Sequence, residues 1–324
     1  MPSHVATKIL VLSDTHGQGK SSDYAPNESF DVVIHCGDLT QHSKIAEFRD
    51  TLQMLSGLKA PLKLVIAGNH DFTLDSDAFK MKINEANHVN GEPLESELID
   101  REFGTDGEAR RIIKDAERCG IMFLDEGTHQ FDLQNGGVLR VYASPYTPSK
   151  ETWAYSYDGQ HEFNIQEQTD VVITHGPPQG IMDMSSSRKR LGCPQLFGAV
   201  ARSQPRMHCF GHVHCGWGAK LAKWRPEISD IPSHFSDIDN DKSMVINNLA
   251  GLRGSRFESE DDRLARLKKI DHMTTQKVYL SDHSMGSENP VGPGQTLFVN
   301  AAVEGDGEVI QPPWGIVIDL PTSK

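Results

Sequence analysis

Short apolar runs of strand length recur along this chain, and each stops at a polar tip. Lys8 to Ser13 runs into Asp14-Thr15-His16-Gly17, and Phe30 to Cys36 into Gly37-Asp38. Leu62 to Ala67, broken only by Lys63, ends at Gly68-Asn69-His70-Asp71. Further on, Val138 to Ala143 leads to Ser144-Pro145-Tyr146, and Asp170 to Thr174 leads to His175-Gly176-Pro177-Pro178. Met207 to Phe210 precedes Gly211-His212-Val213-His214. Between the second and third runs, Ile45, Phe48, Leu52 and Leu55 recur at helical spacing, with Ser43 as the expected N-cap. This alternation of strand and helix predicts βαβ units around a largely parallel sheet.

Residues from about Asp75 to Glu117 are charged and helical in pattern, expected as helices on the rim, with no strand until Ile121 to Leu124. Gly192-Cys193-Pro194 opens a helix to about Arg202, with Pro194 at its first helical position. From about Pro226 to Gln295 the chain turns polar, with 12 acidic against 8 basic residues. Within it, Ser259 to Ile270 reads as a helix: acids come early and bases late, matching the macrodipole, and Leu264, Leu267 and Ile270 share a side. Ser281 to Gly294 reads as loop. Strand patterns resume at Thr296 to Val299 and Gly315 to Leu320. Residues 226–295 are therefore expected to be an insertion in one domain spanning 1–324.

The 324 residues carry 37% hydrophobic and 24% charged side chains, ordinary for a soluble protein with a sizeable core. A net charge of −13 argues against binding a nucleic-acid duplex, which needs a basic footprint. Bound divalent cations would offset part of that charge locally. The five cysteines form no Cys-x-x-Cys pair and no even framework, which suits a reducing compartment and a cytoplasmic location. Ile9 to Leu12 is strand-length only, so no secretory leader is expected, and nothing approaches a membrane span. Neither a phosphate-binding Gly-x-x-x-x-Gly-Lys-[Ser/Thr] loop nor a Gly-x-Ser-x-Gly elbow is present.

Five of the runs end in metal-competent residues: Asp14/His16, Asp38, Asn69/His70, His175 and His212/His214. Ligands of open α/β sheets bind at the carboxyl ends of the strands. Each tip alone is ambiguous, because Gly-Asn marks turns and a strand-end histidine is commonly solvated or buried in a core. Together, two Asp, one Asn and several His suit a divalent site of mixed oxygen and nitrogen donors. Among neighbours, His35 and Cys36 read as strand packing and His42 as a rim contact. Arg188, Lys189 and Arg190 would either meet a phosphate or form a solvated face. Ser144-Pro145-Tyr146 is expected to line the pocket, with Tyr146 free to stack or to pack, and Cys215 and Trp217 to shape its wall.

The ordered series Asp-x-His, Gly-Asp, Gly-Asn-His-Asp, His and Gly-His-x-His resembles the calcineurin-like metallophosphoesterase superfamily, from Lys8 to about Gly218 and again from Thr296 to Leu320. The stretches 174–178, 211–218 and 297–301 are similar to the metallophosphoesterase-domain (239FB-type) phosphodiesterases. The resemblance implies a four-layer α/β/β/α sandwich and two divalent metal ions (Mn, Fe, Zn or Ni). It places Asp14, His16, Asp38 and His214 around the first ion and Asp38, Asn69, His175 and His212 around the second, with Asp38 bridging through its two oxygens. Two ions about 3.5–4 Å apart clamp the attacking and leaving oxygens of an in-line displacement. His70 is left off the metals, as the family histidine that touches the scissile phosphate and protonates the leaving oxygen; orienting Asp38 is its other reading. The expected reaction is hydrolysis of a small-molecule phosphodiester such as a cyclic nucleotide by a metal-bridging hydroxide, with Asn69 and His70 binding the substrate. A phosphomonoesterase, a protein Ser/Thr phosphatase and a non-catalytic metal-binding scaffold are the alternatives.

Overall fold

The computed structural model describes residues 3–18, 24, 26–305 and 311–323. β1 (His4–Leu12), β2 (Val32–His35), β3 (Leu62–Val65) and β4 (Ile121–Phe123) lie side by side and parallel. β15 (Trp314–Pro321) returns antiparallel along β1, and β13 (Tyr279–Asp282) pairs outside it, which completes a six-stranded sheet. The second sheet has seven strands. Its parallel centre is β6 (Val138–Ser144), β9 (Val171–Thr174), β10 (Met207–Phe210) and β14 (Gln295–Asn300). β5 (Gly127–Asp132) flanks β6, while β11 (Gly218–Trp224) and β12 (Ile238–Asn248) extend the other side antiparallel. A small pair, β7 (Thr147–Pro148) and β8 (Ser156–Tyr157), stands apart.

Period-two alternation in the strands sorts side chains into layers. Ile9 and Val11 of β1 point between the sheets, where they join Ile34, Leu64, Ile173, Cys209 and Val299. Leu10 and Leu12 point the other way, onto Phe48 and Leu55 of α1 (Ile45–Ser56). Ala78 of α2 (Ser76–Asn90) and Ile113 of α4 (Glu108–Asp115) pack in that same layer, with α3 (Ser96–Phe103) between them in sequence. On the far side, Val172, Phe210 and Phe298 meet Leu196, Phe197 and Val200 of α5 (Pro194–Ser203). Helices, sheet, sheet and helix make the four-layer α/β/β/α sandwich that the sequence resemblance implied.

Several local expectations change. Lys44, not Ser43, caps α1; Glu47 reaches back to the Lys44 amide at 2.9 Å. Ser43 instead adopts φ 57 and its hydroxyl accepts the Thr73 amide at 2.8 Å. Residues 226–295 supply an outer strand to each sheet, β12 to one and β13 to the other. β13 takes in the start of the stretch read as loop. Between them lie α6 (Leu249–Leu252) and α7 (Glu260–Gln276), the latter capped by Ser259 as its charge pattern suggested. Along the side shared by Leu264, Leu267 and Ile270, Leu264 is 48% and Leu267 43% exposed, while Ile270 packs against the core and Met273 beyond it is buried at 2%. No helix among the described residues is long and apolar enough to cross a membrane.

Candidate metal centre

The loops that follow β1, β2, β3, β9 and β10 converge at one edge of the sandwich. Asp14 (φ 56), His16 (φ 49), Asp38 (φ 52) and His212 (φ 63) all sit in the left-handed region. For residues with a Cβ this costs about 1 kcal/mol or more each, and such strain persists where surrounding structure over-determines it. Here the first two loops are zipped together: Asp14 N donates to Gly37 O at 3.0 Å, and His16 N to Asp38 O at 3.1 Å. Two glycines allow the close approach. A Cβ on Gly68 would stand 2.3 Å from both the amide and Oδ1 of Asp38, and one on Gly211 would stand 2.0 Å from Asp14 Oδ2.

All seven sequence-predicted ligands, with His70, fall in one contiguous cluster. Asp14 Oδ1 lies 3.4 Å from His214 Nε2, and its carboxylate accepts the His212 amide at 3.0 and 3.1 Å. Asp38 Oδ2 lies 3.3 Å from His175 Nε2 and 3.8 Å from His16 Nε2. Its other oxygen, Oδ1, accepts the His70 amide at 2.8 Å. Asp38 Oδ2 therefore faces His16 and His175, one from each expected ligand set. Asn69 Oδ1 is 2.9 Å from His175 Nε2 and 2.9 Å from His212 Nδ1.

Backbone carbonyls choose the tautomers, because a carbonyl can only accept. His16 Nδ1 donates to Thr40 O (3.2 Å), His175 Nδ1 to Cys36 O (2.9 Å) and His70 Nδ1 to Gln41 O (2.9 Å). In the neutral ring each Nε2 then presents a lone pair, the state a metal requires. His175 Nε2 thus lies 2.9 Å from Asn69 Oδ1 and 3.3 Å from Asp38 Oδ2, facing two acceptors at once. A proton on Nε2 holds the set together in the metal-free protein, and a cation bound in its place would take up all three electron pairs.

The electrostatics agree. Burial would raise the Asp14 carboxyl, but the hydrogen bond from His214 and the nearby His175 charge hold it at about 2. Burial is likewise outweighed at Asp38, which His175 keeps well below the usual carboxylate range. His175 is pushed up to about 9: burial opposes its proton and the Asp38 charge overrides burial. Burial, helped by the His175 charge, lowers His212 to about 4. Two ionised carboxylates at 0% and 2% exposure among imidazole lone pairs fit divalent cations in charge and in donor type. Three groupings satisfy ligand spacing: Asp14/His16/His214, His16/Asp38/His70 and Asp14/Asp38/His175.

Sequence reasoning left Asp71 without a role. It is fully buried and accepts Leu39 N (3.1 Å), Thr40 N (3.0 Å), Thr40 Oγ1 (2.7 Å) and Gly68 N (2.8 Å). One carboxylate thus clamps the loop of Asp38 to the loop of Asn69 and His70. Trp153 was also missed: its ring lies 4.9 Å from that of His70, with Lys82 Nζ 4.3 Å from the indole. Glu304 was a third omission, 2.9 Å from His16 Nε2.

Among lesser candidates, His35 packs inside β2 and meets the Thr15 hydroxyl at 2.9 Å. His42, Arg188 and Lys189 are exposed, while Arg190 pairs with buried Asp183 at 2.6 Å. Tyr146 packs between Tyr155 and His161. Trp217 is not pocket wall but core: it is fully buried and stacks on Trp314 at 4.8 Å. Cys215 does border the site, lining a cavity of about 360 Å³ beside His212 and His214. Leu249 brings the 226–295 insertion to that cavity.

Comparison with known proteins agrees with this geometry. A 223-residue stretch is 31% identical to human metallophosphoesterase domain-containing protein 1, covering 65% of this chain and 62% of that protein. UPF0046 protein T07D4.2 of Caenorhabditis elegans is 30% identical over 286 residues, 80% of this chain and 67% of the relative. Probable rhamnogalacturonate lyase C of Emericella nidulans is 30% identical over 223 residues, but the match spans only 18% of that longer protein. The chain thus spans less than two thirds of the human relative and less than a fifth of the fungal one. Residues 7–216, which carry every converging ligand, match the family model for calcineurin-like phosphoesterases, and the chain belongs to that family.

Proposed function

We propose that the site holds two divalent cations and hydrolyses a phosphodiester on a small molecule, of cyclic-nucleotide type. The observation that carries this reading is the convergence of His175 Nε2, Asn69 Oδ1 and Asp38 Oδ2 with only one proton available among them. Asp14, His16, Asp38 and His214 would hold one ion and Asp38, Asn69, His175 and His212 the other. When bound, such ions polarise phosphoryl oxygens and bring the pKa of coordinated water toward neutrality. The chain's own residues do the rest. Asn69, buried against His175 and His212, and the half-buried His70 would contact the phosphoryl group. His70 has its Nδ1 proton committed to Gln41 O, so Nε2 is the atom that, once protonated to give the imidazolium, can pass that proton to the leaving oxygen and return to the neutral ring. Its amide, bonded to Asp38 Oδ1, fixes the bridging carboxylate at the same time.

The cavity of about 360 Å³ that borders the cluster at His212 and His214 is of small-molecule size, which supports this reading over a protein phosphatase. Trp153, its ring 4.9 Å from that of His70, offers an aromatic face beside the proposed leaving group, which favours a diester with a planar group next to the scissile bond. Mn, Fe, Zn and Ni all fit the mixed donor set. The five cysteines are free, in keeping with a reducing, cytoplasmic setting for one domain carrying the 226–295 insertion. The test compares hydrolysis of bis-p-nitrophenyl phosphate and p-nitrophenyl phosphate by metal-stripped and Mn-reconstituted protein. Activity restored by Mn²⁺ and greater on the diester is expected; full activity without metal overturns the reading.

A further inference from the structure

We propose that Glu304 is an additional ligand of the first cation, adding a third carboxylate to the Asp14, His16, Asp38 and His214 set. The inference rests on the two-cation reading above and concerns a residue outside the family's ligand series. Glu304 Oε2 lies 2.9 Å from His16 Nε2 and 3.8 Å from His214 Nδ1. His16 is 3% exposed, and its Nε2 has no hydrogen-bond partner among the described residues, because the approach of Glu304 lacks the alignment of an N–H···O bond. With Nδ1 already donating to Thr40 O, that nitrogen turns a lone pair toward a carboxylate oxygen. Two electron-pair donors face each other across a gap that a cation between them would stabilise.

The backbone around Glu304 is built to hold it there. Val303 N donates to Ser13 O at 3.0 Å, joining this segment to the strand end that carries Asp14. Asn300, fully buried, donates to Val213 O at 3.0 Å and accepts the Ala302 amide at 3.2 Å. The Gln311 amide nitrogen donates to Ala302 O (2.8 Å), His214 O (3.0 Å) and Glu304 O (3.1 Å). One side chain therefore registers Glu304 against His214. At 42% exposure the carboxylate stands on the solvent side of the cluster, whereas Asp14 closes it from within. A third carboxylate, beside Asp14 and the shared Asp38, makes the first position harder and more anionic than the second, whose donors are Asp38, Asn69 and two imidazoles, and so shifts its preference toward Mn²⁺ relative to the second.

The test is calorimetric titration of metal-stripped protein with Mn²⁺, for wild type, Glu304→Gln and Asn69→Ala. Wild type is expected to bind two ions per chain. Glu304→Gln should weaken one of them roughly tenfold or more and leave the other unchanged, while Asn69→Ala weakens the other. Glu304→Gln keeps the side-chain volume, so metal-free variant and wild type should unfold at the same temperature. Two affinities in Glu304→Gln within twofold of wild type would overturn the inference, as would a lowered unfolding temperature with both ions lost. Wild-type protein that binds fewer than two ions would overturn the two-cation reading itself, a result distinguishable from failure at Glu304 alone.

Discussion

Gly68→Ala adds one methyl group at the point where the two central loops touch. The backbone of Gly68 is not in the left-handed region, so alanine brings no conformational strain and the effect is purely steric. The new Cβ would lie 2.3 Å from Asp38 N and Oδ1 and 2.8 Å from His175 Cε1. Ordinary contact begins near 3.4 Å, so Asp38 must retreat by about 1 Å, and its amide is backbone that cannot rotate away. Overpacking of this kind costs about 1–3 kcal/mol, and a displacement of about 1 Å in a catalytic group costs on the order of 10²-fold in rate. Urea unfolding of the metal-free protein should therefore show a lower midpoint, and Mn²⁺ titration a loss at both ions, since Asp38 faces both sets. Gly292→Ala is the control, because its methyl group would meet only the amide end of Gln295 at 3.2 Å. Wild-type stability and metal binding in Gly68→Ala would refute the account of how these loops pack.

Asp71→Ala leaves at least the buried amides of Leu39, Thr40 and Gly68 without their acceptor. At about 1–3 kcal/mol per stranded group, unfolding free energy should fall by about 3 kcal/mol or more; a loss below about 0.5 kcal/mol would remove Asp71 from its clamping role. For pH, His175 lies at about 9 in the metal-free protein against 6.5 ordinarily, so its proton adds stability that is present below 6.5 and lost as pH rises through about 9. A cation must expel that proton, so Mn²⁺ affinity should rise about tenfold per pH unit up to about 9; calorimetry showing flat affinity between pH 6.5 and 8.5 would contradict this. Trp153→Ala should raise KM for bis-p-nitrophenyl phosphate roughly 2- to 12-fold, the equivalent of an aromatic pair worth about 0.5–1.5 kcal/mol. An unchanged KM would exclude Trp153 from the substrate wall.

The strand tips were legible in sequence because a buried parallel strand is a nearly continuous apolar run, so polar residues at its end stand out. Edge strands hide for the converse reason: β5, with every other residue exposed, and β12, with Met244 and Val245 in solvent, carry polar residues that dilute the pattern. Asp71 was visible as a residue but not as a clamp, since its partners lie in a loop about thirty residues earlier. Glu304 follows an apolar strand without any motif, and only the Gln311 bridge and the Ser13 contact bring it to His16. Trp217 sits next to the last ligands in sequence, yet its position on β11's approach turns it into the core against Trp314. The α7 pattern showed which residues share a side but not how much of it is covered: Ile270 packs on the core while Leu264 and Leu267 stay exposed.

The most direct test is turnover of bis-p-nitrophenyl phosphate by His70→Ala, measured together with Mn²⁺ bound per chain. The Nε2 of His70 is assigned to the leaving oxygen and none of its ring atoms to an ion. His70→Ala should therefore keep two Mn²⁺ per chain while kcat falls about 10²- to 10⁴-fold, the range for removing a general acid. Wild-type kcat with both ions bound would contradict the assignment of His70.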